Sequence, residues 1–126
     1  MDDNIIPEEI ANEEYLYRGI VSLHWEKEKD RISSAAYKNP GGLSVDRDCG
    51  RDKDACVQRL LTSSDFMFVT RLLTGDVRSE GLHPVYKPVQ DNVYHSEIHQ
   101  SDSEVELTKG QARRLNKMAE IAFSKM

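Results

Sequence analysis

The apolar residues of this chain come in short, interrupted bursts, and that pattern restricts its fold more than any other feature. "YLYRGIVSL" from Tyr15, "FMFVTRLL" from Phe66 and "VYHSEIHQ" from Val93 are rich in aromatic and β-branched residues, and each is closed off by a charged or turn-forming stretch. Such bursts predict strands. In the first of them, alternation puts Leu16, Arg18 and Ile20 on one face and Tyr15, Tyr17 and Val21 on the other. "RISSAAYK" reads as a further short extended segment, "NPGG" at Asn39–Gly42 as a turn, and "LSVDR" after it as another strand. Leu82 to Gln90 carries Pro84 and Pro88, whose missing N–H groups confine it to a sheet edge or a loop.

Two helices complete the pattern. "DACVQRLLTSS" sets Ala55, Cys56, Leu60 and Leu61 at helical spacing. Near the C-terminus, Thr108 and Gln111 form a capping box, Leu107 and Ala112 the hydrophobic staple, and Ala112, Leu115, Ala119 and Ala122 one apolar stripe. The expected fold is α+β: a small mixed or antiparallel sheet with one middle helix and a C-terminal helix packed on it. At 126 residues the chain suits one domain, so residues 1–14 read as a mobile lead-in and 15–126 as a single α+β domain.

Seventeen basic residues against 22 acidic ones give a formal charge of −5, so no global field favours nucleic acid or anionic lipid. No apolar run is long enough to span a bilayer, and the acidic beginning "MDDNIIPEEIANEEY" lacks the basic and apolar regions of an export signal. The expected location is the cytoplasm, with Cys49 and Cys56 as reduced thiols.

His95, Glu97 and His99 carry the sharpest chemical signal. On a strand they project from one face, where two imidazoles and a carboxylate could take a metal, zinc being the ion such a set implies; the alternative is a hydrated strand face. Arg18, between two apolar neighbours on its face, lies either at the sheet edge or partly buried with an anion partner, which is then a structural carboxylate or a phosphate or carboxylate ligand to which Ser33 and Ser34 could add hydroxyl donors. "DRDCGRDKD" places Asp46, Asp48, Asp52 and Asp54 around Gly50. It departs from the EF-hand pattern in its glycine and closing glutamate, and reads as a solvated loop. Cys49 within it could be a reactive thiol, whereas Cys56 falls on an apolar face.

Two resemblances add to this. "LYRGI", "ISSAAYKNPGGLSVDR" and "NVYHSEIHQ" taken in order resemble small bacterial proteins of unassigned activity that share an LYR…SSAA-aromatic…LSV…H pattern. That likeness groups Arg18, Ser33, Ser34 and His95. "YRG", the serine pair and "EVE" at Glu104–Glu106 are similar in order to the arginine, serine and glutamate motifs of ADP-ribosyltransferases, which would give Arg18 the NAD phosphates, Ser33 the organisation of the site and Glu106 the catalytic role. "SSAAY" departs from that family's Ser-Thr-Ser pattern.

The reading that follows is a small protein whose polar strip of Arg18, Ser33, Ser34 and His95 binds a small anionic ligand or a protein partner, with neither nucleic acid nor membrane expected. One alternative is an enzyme, either metal-dependent through His95, Glu97 and His99 or NAD-consuming through Arg18 and Glu106. The other is a pure protein-interaction regulator or inhibitor.

Overall fold

The structure is a computed structural model and describes residues 5–126. Six strands form one antiparallel sheet in the order β6-β7-β4-β1-β5-β8: β1 (Tyr15–Ile20), β4 (Leu43–Arg47), β5 (Phe68–Leu73), β6 (His83–Tyr86), β7 (His95–His99) and β8 (Glu120–Ser124). Between β1 and β4 a two-stranded hairpin of β2 (Trp25–Glu26) and β3 (Arg31–Ile32) stands apart, followed by a 3-10 turn over Ser34–Tyr37. Three helices complete the α+β fold: α1 (Lys53–Ser63), α2 (Thr74–Ser79) and α3 (Lys109–Met118).

The alternation read from the sequence divides the core in two. Leu16, Ile20, Val45, Leu72 and Ile98 face Tyr37, Val77, Ala112 and Leu115 on one side of the sheet. Tyr17 and Val69 face Cys56, Val57 and Leu60 of α1 on the other. Trp25 closes the first core against Phe68, with ring centroids 5.2 Å apart. β6 carries Pro84 and is an edge strand, one of the two places its missing donor allows.

Three of the secondary-structure expectations are not met. "TGDVRSEG", read as a break, begins with the short helix α2. "RISSAAYK" is extended only at Arg31–Ile32 and then coils, Ser33 capping the 3-10 turn through its hydroxyl. The last helix keeps its capping box but ends at Met118, so Ala119 and Ala122 leave the helical stripe. Ala119 is the C-cap, and Ala122 lies on β8, which pairs with the free edge of β5. The open row of hydrogen-bonding groups on β5 outweighs the helix propensity of "AEIAF".

Of the lead-in, Met1–Asn4 lie outside the described residues. From Pro7 onward the segment is fastened to the domain: Ile10 is buried, and buried Arg47 donates to the carbonyls of Pro7 and Glu9 and to both carboxylate oxygens of Glu14.

Candidate functional site

β1 and β4 pair only at Leu16 with Arg47 and at Tyr17 with Asp46, whereas β4 pairs with β7 from Leu43 to Asp46 and β1 with β5 along its whole length. The sheet therefore splits beyond Tyr17. The Arg18 guanidinium bridges the split, Nη1 donating to the Ser44 carbonyl at 2.8 Å and Nε to the Ala36 carbonyl at 2.7 Å. Its Nη2 has no protein partner among the described residues, and none of their carboxylates forms an ion pair with it. Burial lowers the Arg18 pKa, but a guanidinium starts so high that it keeps its charge at neutral pH. The result is a half-buried cation without a carboxylate partner among the described residues.

A cavity of about 380 Å³ lies at this split, lined by Arg18, Gly19, Val21, His24, Ser44, Asp46, Arg59, Phe66, Asn92 and His95 among others. One wall is set by packing of ring on backbone: a Cβ on Gly19 would lie 2.4 Å from the Phe66 ring, so only glycine admits that contact. The carboxylate of Asp46 is satisfied inside the protein, by Arg59 Nε at 2.8 Å and Asn92 Nδ2 at 2.7 Å. Its charge is thereby answered locally, while that of Arg18 is not.

Two imidazoles face this cavity. His95 holds the Lys87 carbonyl with Nδ1 at 2.8 Å and turns Nε2 to the Ser44 hydroxyl at 3.3 Å. His24 makes no side-chain hydrogen bond among the described residues. Burial, and then the nearby Arg18 charge, hold it below the usual imidazole value, so it is neutral at pH 7.

Of the residues singled out in the sequence, Arg18 and His95 meet here, both through Ser44. Ser33 and Ser34 do not line the cavity. The Ser33 hydroxyl accepts from the Ala35 N–H, and its own N–H donates to the His24 carbonyl at 2.7 Å, which fixes the loop carrying His24. Glu106 is likewise elsewhere, paired with Lys38. His95, Glu97 and His99 share a strand face as expected, yet they make separate contacts: Glu97 pairs with His99 at 2.8 Å while both nitrogens of His95 are directed at other groups. Among the described residues no three His, Cys, Asp or Glu side chains are arranged to hold a metal ion.

The aspartate-rich loop is structural. Asp48 accepts from the N–H groups of Tyr15 and Gly50, and Asp52 caps α1. Burial raises the pKa of Cys49 and pushes that of Cys56 up to about 11, so neither thiol is activated. A larger cavity of about 820 Å³ lies beside this loop, but its arginines are occupied: Arg47 by Glu14, and Arg51 by the Arg47 and Asp48 carbonyls and the Tyr94 ring.

Ser44, Arg59, Phe66 and Asn92 carry no chemical signal in the sequence because they come from separate loops, strands and α1. Comparison with known protein families, curated proteins and solved structures returns no match.

Proposed function

We propose that this protein binds a small organic anion, of the phosphate or carboxylate class, in the split between β1 and β4. The observation that carries this reading is Arg18: a half-buried guanidinium held by two backbone carbonyls, with Nη2 open and no carboxylate partner among the described residues. A planar fork with donors to spare matches two oxygens of a phosphate or carboxylate. The Phe66 ring and Val21 offer apolar surface to the organic part of such a ligand, and the cavity volume falls in the range of small-molecule sites.

The test is calorimetric titration of the wild-type protein and Arg18→Met with inorganic phosphate and with a phenyl-substituted phosphate. Methionine keeps the packed stem and removes the charge. The expected outcome is binding to wild type, tighter for the phenyl compound, and at least a tenfold loss in the variant while its cooperative melt persists. Equal affinity of the two proteins would refute the reading.

A further inference from the structure

Ser44 and His95 form more than a wall of the binding cavity. A carbonyl oxygen can only accept, so the contact of His95 Nδ1 with Lys87 O places the proton of the neutral ring on Nδ1 and leaves the lone pair on Nε2. That lone pair faces Ser44 Oγ at 3.3 Å. The backbone of the same serine holds the Arg18 guanidinium through its carbonyl at 2.8 Å. A hydroxyl, a base fixed in one tautomer and a cation with no carboxylate partner among the described residues thus converge on one cavity. A hydroxyl beside a base that a third group orients is the arrangement by which side-chain nucleophiles are activated.

From this geometry we infer that the site cleaves phosphate diesters, with Ser44 as nucleophile and His95 as base. The inference rests on the reading that Arg18 holds the anion. Arg18 pairs with the non-bridging oxygens, and charge on them is what it would stabilise as the reaction proceeds. Ser44 Oγ bonds to phosphorus while the bond from phosphorus to one ester oxygen breaks. His95 Nε2 takes the hydroxyl proton and passes it to the departing alkoxide, which leaves as an alcohol. Water then adds to phosphorus, giving one proton to His95, and Ser44 departs taking that proton back. The balance is diester plus water to monoester plus alcohol, with no oxidant, reductant or further co-reactant.

The probe is bis(4-nitrophenyl) phosphate, followed by 4-nitrophenolate release and by the intact mass of acid-quenched protein. Wild type should release nitrophenolate, and any protein trapped in turnover should carry one added 4-nitrophenyl phosphoryl group on Ser44. Ser44→Ala should fall to the uncatalysed rate. His95→Gln should lose about 10²–10⁴-fold, with phosphate affinity within a few-fold of wild type and melting curves intact in both variants. Phosphate binding that depends on Arg18, with no nitrophenolate and no adduct, would overturn the catalytic inference and leave the binding reading standing. Turnover undiminished in Ser44→Ala would also overturn it. Absence of both phosphate binding and turnover would sink both readings.

Discussion

Arg47 and Arg18 sit on neighbouring strands and meet opposite electrostatic fates. Arg47 is 1 % exposed and is answered in full by Glu14 and two carbonyls; Arg18 has, among the described residues, carbonyls alone. Removing one member of a buried pair strands the other, so Glu14→Gln should cost about 3–5 kcal/mol at neutral pH, read as a shift in the urea midpoint. Burial pushes the Glu14 carboxyl up, but Arg47 and the N–H groups of Ala11 and Cys49 more than offset this, and its pKa ends below the ordinary value. A carboxyl with a depressed folded pKa contributes stability that is fully present above its unfolded value of about 4.3 and lost as pH falls through the folded one. The gap between wild type and Glu14→Gln should therefore narrow below about pH 4. The sequence marks Arg18 as unusual because apolar neighbours flank it. Nothing local marks Arg47, whose partner lies 33 residues earlier.

At the scale of elements, Gly42 shows how one turn residue shapes the neighbouring strands. It enters β4 at φ +106°, and a Cβ there would meet Glu97 Oε1 at 2.5 Å and His99 Nε2 at 3.3 Å. Gly42→Ala should cost about 1–3 kcal/mol from backbone strain alone, and it should separate Glu97 from His99, visible as altered imidazole NMR shifts of His99. "NPGG" is legible as a turn, but the carboxylate and imidazole seated against its last glycine come from β7. The capping box of α3 is equally legible, since Thr108 and Gln111 act on their own backbone. Where α3 stops is not. That boundary depends on the free edge of β5, some fifty residues earlier in the chain.

Across the whole molecule, α3 closes the larger core, with Ala112 at 1 % and Leu115 at 0 % exposure. Leu115→Asp would place a charge at a position closed to water, at a cost of several kcal/mol out of a total of about 5–15 for a domain. A urea or thermal melt should show a largely unfolded protein at 37 °C; a midpoint close to wild type would mean that α3 does not carry the core. Among the described residues no helix is long and apolar enough to cross a membrane.

By itself the sequence determined the α+β class, the strands around Tyr15, Leu43, Phe66 and His95, the exclusion of the proline-bearing segment from the sheet interior and the start of the last helix. Each follows from residues close together in the chain, through alternation, missing donors or a local cap. Only the tertiary structure decided that β1 and β4 part beyond Tyr17, that Arg18 fills the opening with no carboxylate partner among the described residues, and that His24, Ser44, Phe66 and His95 gather around it. Those outcomes depend on which strands become neighbours and where their pairing ends, and the hydrogen bonds and packing that set them join residues far apart in the chain.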